Sequence, residues 1–131
     1  MQAIVVDDSR AMRMLMGRLL KDIGFGVAEA GDGVQALATL TERAAGHPDG
    51  PVQLALVDWN MPEMSGIELV TALRADPAFA ALRIVMVTTE TELSQVSRAL
   101  EEGADEYLMK PFTKDDVLGK LELLGLLGLA G

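Results

Sequence analysis

Cysteine is missing from this sequence, so there is no disulfide framework and no thiolate metal site, and the redox compartment is left undetermined. Histidine is nearly missing too. The single one, His47, stands in a polar loop without companion ligands and reads as solvated. Positive charge is scarce: eleven Lys and Arg face twenty Asp and Glu, a net charge of −9. Direct nucleic-acid binding needs a basic face to neutralise phosphates, so that balance argues against it. It suits a protein that meets basic or cationic partners. No run approaches the ~18 apolar residues of a membrane span. The amino terminus, MQAIVVDDSR, lacks the basic start and long apolar core of a signal peptide, so a cytoplasmic location is expected. Internal repeats, low-complexity tracts and composition breaks are absent as well.

What is present is enough apolar material for a core. Half of the 131 residues are hydrophobic, which excludes disorder and allows one domain. Ala3 to Val6 reads as a short strand that ends in Asp7 and Asp8. Met12, Leu15, Met16, Leu19 and Ile23 then fall at helical spacing, with Ser9 to cap and Gly24 to stop. Phe25 to Ala30 is a second strand. Asp32 and Gln35 are spaced as a capping box for a helix marked by Val34, Leu37, Ala38 and Ala44. After the loop GHPDGP, Val52 to Val57 is a third strand, delivering Asp58. Ser65 and Glu68 box a third helix through Ile67, Val70 and Leu73, which gives way at Asp76-Pro77. Arg83 to Thr88 is the fourth strand. Thr89 and Glu92 box a helix through Leu93, Val96 and Leu100, stopped by Gly103. Glu106 to Met109 is the fifth strand, and Thr113 with Asp116 opens a last helix through Val117, Leu121 and Leu124.

Five strands alternating with helices over short links predict parallel strands and right-handed crossovers. The expected fold is a flavodoxin-like, doubly wound (βα)5 α/β domain over residues 1–131. Its sheet order is expected to be 2-1-3-4-5, because five units are too few for the larger dinucleotide-binding sheet.

Such a sheet gathers the carboxyl ends of strands 1, 3, 4 and 5 along one edge. They bring Asp7 and Asp8, Asp58, Thr88 and Lys110 respectively. Three close carboxylates repel unless a cation sits among them. Hard oxygen ligands without a His or Cys cluster suit Mg²⁺. A lysine and a hydroxyl facing the same point suit a phosphoryl group. The set reads as a phosphoryl-transfer site with Asp58 as nucleophile.

Val-Asp-Asp at 6–8, Asp-Trp-Asn-Met-Pro-Glu-Met-Ser-Gly at 58–66, Val-Thr at 87–88 and Lys-Pro-Phe-Thr at 110–113 also carry a resemblance. Over essentially the whole chain the sequence resembles the response-regulator receiver domain, in its stand-alone, CheY-like chemotaxis form. That family is itself a known case of the 2-1-3-4-5 order. The resemblance implies that Asp58 accepts a phosphoryl group from the phosphohistidine of a histidine kinase. It implies Mg²⁺ ligated by Asp8, Asp58 and the main-chain carbonyl of Asn60, with Asp7 holding a metal-bound water. Lys110 would pair with the acyl phosphate, and Thr88 would hydrogen-bond it. Tyr107 stands at the position of the family's rotating aromatic, and Asn60 and Glu90 at the two positions that tune hydrolysis. Thr89 departs from the pattern, where a small residue is usual, and its β-branch would narrow access to Asp58.

The implied protein is a switch without an output domain, and not an enzyme beyond catalysing its own phosphorylation and dephosphorylation. It would act as a monomer, with a phosphatase as a further partner and no nucleic acid or membrane insertion. Its changed helix 4–strand 5–helix 5 face would bind a target such as a flagellar motor switch protein. The alternative within the family is a relay or adaptor receiver that signals to a histidine phosphotransfer protein or another enzyme. A haloacid-dehalogenase-like phosphatase also uses an aspartate after a strand, but needs a second aspartate where this chain has Asn60. A nucleotide or flavin module needs a glycine- or hydroxyl-rich phosphate loop after strand 1, where Asp7-Asp8-Ser9-Arg10 stands instead.

Each residue also has a plainer explanation. Asp7 and Asp8 suit a helix amino terminus, although one acid would serve there. Lysines such as Lys110 are usually solvated. Threonine suits any strand end, and an aromatic such as Tyr107 usually just packs. The eight methionines read as packing residues. The leucines from Leu123 to Leu129 exceed what a one-faced helix needs and read as a tail that packs in part.

Overall fold

A computed structural model describes residues 1–59, 61, 63–89 and 94–127 of the chain. Its strands are β1 (Gln2–Val6), β2 (Gly26–Ala30), β3 (Leu54–Asp58), β4 (Arg83–Thr88) and β5 (Glu106–Met109). They form one parallel sheet in the order β2-β1-β3-β4-β5. The helices are α1 (Arg10–Ile23), α2 (Gly33–Ala44), α3 (Gly66–Arg74), α4 (Val96–Glu102) and α5 (Lys114–Leu123). The doubly wound architecture is the one expected from the alternating pattern.

Helices cover both faces of the sheet, so its central strands are buried on both sides and read as unbroken apolar runs. Every residue of β3 is buried, as are four of the five in β1. One core layer holds Ile4, Val6, Val57, Ile84 and Met86 against Leu69, Val70 and Leu73 of α3 and Ala36 and Leu40 of α2. The other holds Val5, Leu56, Val85 and Val87 against Met16 and Leu20 of α1 and Val117 and Leu121 of α5.

The helix starts follow local chemistry. Ser9 caps α1 by accepting from the Met12 N–H. Ser65 with Glu68, and Thr113 with Asp116, form reciprocal capping boxes for α3 and α5. The Asp32–Gln35 pair is only half a box: Asp32 accepts from the Gln35 N–H, but the Gln35 amide oxygen accepts from Gly31. Gly24 and Gly103 end α1 and α4 at φ values of 120° and 123°, which side-chain-bearing residues avoid. The described part of α4 begins after Gln95, which makes no side-chain cap bond. Glu92 and Leu93 of the expected Thr89–Glu92 start lie outside the described residues.

Several expectations need correcting. β3 starts at Leu54, two residues late, and runs one residue further than expected, to Asp58. β2 starts at Gly26, with Phe25 buried just before it. As expected, however, the third helix gives way before Asp76-Pro77: it stops at Arg74, and Asp76 caps a separate short turn, Pro77–Phe79. Leu15, Val34 and Leu100 are exposed. Each fits helical spacing but sits at the rim of its helix's stripe, where the sheet gives no cover. His47 is half-buried, and its Nδ1 accepts from the Asp49 N–H, a bond that shapes the loop. Past α5, Leu124, Leu126 and Leu127 pack in part against the second core layer, while Leu123 is exposed and Leu129 lies outside the described residues.

Candidate functional site

The β1, β3, β4 and β5 ends meet as expected. Asp58 closes β3, where its strand pairs with Val87 of β4, and it is 8% exposed. Asp7 follows β1 and is 1% exposed; its Oδ1 accepts from the Ser9 N–H at 2.8 Å. Lys110 follows β5, its backbone N–H donating to the Thr88 carbonyl at 2.6 Å. Its Nζ lies 3.2 Å from Asp58 Oδ1 and 3.5 Å from Asp7 Oδ2. Asp8 is exposed at the mouth, and carboxylate oxygens of Asp7, Asp8 and Asp58 all lie within 4.8 Å of one another.

Three carboxylates and one ammonium leave a net two negative charges in that volume. The strain shows at Asp58. Burial, and then the Asp7 carboxylate, push its pKa from 3.8 up to about 6, against the opposing pull of Lys110. For Lys110, burial alone favours the neutral amine, but Asp58 and then Asp7 outweigh it and raise the pKa. A hard divalent cation would cancel the remaining charge, and an all-oxygen donor set fits one. The acidic trio is therefore a site that can hold a metal.

Thr88, at the end of β4, is 1% exposed, and its hydroxyl donates to the Thr89 carbonyl at 3.2 Å. Tyr107 sits on β5 opposite Met86, half-buried against the first core layer. Asn60 and Glu90 lie outside the described residues. Across the residues that follow Asp58, α3 begins close to the end of β3. The Gly66 N–H donates to the Trp59 carbonyl at 3.2 Å, and a Cβ on Gly66 would lie 2.6 Å from the Asp58 carbonyl oxygen. Only glycine lets α3 start that close to the end of β3.

Two anchoring arginines, one at the site and one away from it, have no sequence signal. Arg13 Nη1 donates to the Asp7 carbonyl at 2.7 Å, and its Nε donates to Glu29 at 3.2 Å, pinning the loop that carries both acids. At the opposite end of the sheet Arg74 donates to the Gly103, Phe79 and Leu82 carbonyls and to Asp105. Among the described residues no helix is long and apolar enough to cross a membrane.

Comparison with known proteins agrees with this geometry. The chain is 39% identical over 125 residues to chemotaxis protein CheY1 of Helicobacter pylori strain J99, covering 95% of this chain and 96% of that one. It is 39% identical over 123 residues to chemotaxis protein CheY of Pseudomonas aeruginosa, covering 93% and 94%. A crystal structure of Vibrio cholerae chemotaxis protein CheY4 superposes with a TM-score of 0.82 at 32% identity, covering 94% of this chain and 97% of that one. The family model of the response regulator receiver domain matches residues 3–122, and by that match this chain belongs to the receiver domains of two-component signalling.

Proposed function

We propose that the chain is a phosphorylation-controlled switch in chemotaxis, working through one receiver domain. The observation that carries this reading is the Lys110 ammonium set between Asp58 and Asp7, with the Asp8 carboxylate in the same small volume. Asp58 is the acceptor. One of its oxygens attacks the phosphorus of a histidine kinase's phosphohistidine; the O–P bond forms as the N–P bond breaks, and the histidine nitrogen leaves with the electron pair. Asp8, Asp58 and the Asn60 carbonyl would hold Mg²⁺, with Asp7 acting through a water. The ion supplies charge neutralisation for the phosphoryl oxygens. Beside Lys110 opens an apolar groove of about 350 Å³, lined also by Met12, Leu15, Pro111 and Phe112, which suits a docking phosphodonor.

The phosphoryl group adds roughly −1.5 to −2 charges. Lys110 pairs with it, and Thr88 exchanges the Thr89 carbonyl for a phosphoryl oxygen. Giving up that neutral bond costs ~0.5–1.5 kcal/mol, while each charge-assisted bond gained is worth ~1.5–3 kcal/mol. Moving a balance from 1:99 to 99:1 needs ~5.5 kcal/mol, within reach of a few such bonds. Tyr107 turns inward as Thr88 moves. The face of α4, β5 and α5, where Leu100 and Met109 are exposed apolar side chains, then binds a flagellar motor switch protein. Chemotaxis is supported by relatives that bear that name and match over nearly their whole length. Asn60, Glu90 and Thr89 tune the lifetime of the phosphoryl group.

Trp59 is the only tryptophan and adjoins Asp58. Adding Mg²⁺ and then beryllium fluoride should change its fluorescence, and silence to both would count against the site. Asp58→Asn should abolish phosphate incorporation from acetyl phosphate; label persisting at normal stoichiometry would move the acceptor elsewhere.

A further inference from the structure

Side chains alternate along the edge strand β5, so Glu106 and Leu108 face α5 while Tyr107 faces the opposite core layer. Lys120, on α5, reaches around that edge to both sides. Its Nζ donates to Glu106 Oε1 at 2.8 Å and lies 4.3 Å from the centroid of the Tyr107 ring. The same Glu106 oxygen accepts from the Tyr107 N–H at 3.1 Å. One carboxylate oxygen therefore ties the ammonium to the backbone of the residue whose ring it covers.

We propose that Lys120 is a latch: its ammonium, anchored by Glu106, favours the half-buried ring position of Tyr107 and sets the resting balance of the switch. This rests on the reading of Tyr107 as the part that turns when Asp58 is phosphorylated. A cation is attracted to the ring face only while the ring faces it. Turning the ring inward breaks that contact and leaves the Lys120–Glu106 pair intact. The ring contact therefore stabilises one state and not the other, which is what biasing an equilibrium requires. At a partly exposed site such a contact is worth a factor of about two to five in the balance.

Tyr107 is the only tyrosine, so 3-fluorotyrosine labelling yields one fluorine resonance that reports on it. The wild type, Lys120→Met and Lys120→Arg are compared without phosphodonor analogue and then with Mg²⁺ and beryllium fluoride, with Trp59 fluorescence recording saturation of the site. Lys120→Met keeps most of the stem and loses the charge. Its resting resonance should move toward the position the wild type takes when saturated, and half-saturation should need about two- to fivefold less beryllium fluoride. Lys120→Arg keeps a cation over the ring and should stay near the wild type. If the wild-type resonance moves on saturation while Lys120→Met behaves identically, the latch is overturned and the switch reading survives. If Trp59 responds but the wild-type resonance stays fixed, Tyr107 is not a moving part, and the latch falls with it.

Discussion

The Asp58 carboxylate should make the metal-free protein less stable than it could be, and removing its charge should reveal this. Asp58 has a folded-state pKa of about 6 against an ordinary value of 3.8, because burial and Asp7 oppose its ionisation. Between those two values the folded state holds a proton that the unfolded state has released, so stability falls as pH rises through that window. Above about pH 6 the full penalty is present; below about pH 4 it is gone. A shift of about two pKa units corresponds to at most ~3 kcal/mol, and water at the mouth brings the expected range to about 1–3 kcal/mol. Asp58→Asn keeps the shape and removes the charge. In EDTA at pH 8 it should unfold about 1–3 kcal/mol harder than the wild type, which for a chain of this size is about 4–12 °C in Tm. The gap should shrink to near zero by about pH 4. Saturating Mg²⁺ should narrow it at pH 8 by stabilising the wild type, by ~2.7 kcal/mol at a hundredfold excess over Kd. Urea and thermal unfolding across pH, with and without Mg²⁺, measure all of this. A variant no more stable than the wild type at pH 8, or a gap that ignores pH, would refute the charge argument.

Other expectations concern distant parts of the chain. Arg74→Ala strands three carbonyls and the Asp105 carboxylate and should cost about 2–4 kcal/mol in urea unfolding, with Arg74→Lys recovering little because an ammonium cannot reproduce the fork. Glu63, in the loop after Asp58, has a φ of 67°, so Glu63→Asn should raise stability by about 0.5–1 kcal/mol; no gain in Tm would show that the loop stores no strain there. Thr89→Ala should speed autophosphorylation or hydrolysis by a few-fold, read from Trp59 fluorescence, and unchanged rates would retire the idea that its β-branch narrows access.

The sheet and the residues along its edge were legible because both are written locally. An apolar run such as LALV ending in Asp58 carries its own reason to be a buried strand with an acid at its exit. Ser65 with Glu68, and Thr113 with Asp116, carry the helix starts in the same way. What was illegible depends on distant neighbours. Leu15 and Val34 match helical spacing, yet which edge of a stripe meets the sheet depends on how the helix is rotated against it. Arg13 and Arg74 look like ordinary surface cations until the fold brings carbonyls from other elements within reach.

By itself, then, the order of apolar runs, caps and terminal acids determined a parallel sheet and named the side chains at its carboxyl edge, since each is encoded within a few residues. Only the tertiary structure decided how those side chains act on one another. The 3.2 Å approach of Lys110 to Asp58, the raised Asp58 pKa and the Lys120 ammonium over Tyr107 are all relations between segments far apart in the chain. Electrostatic energy depends on distance and burial, and the chain acquires both only when it folds.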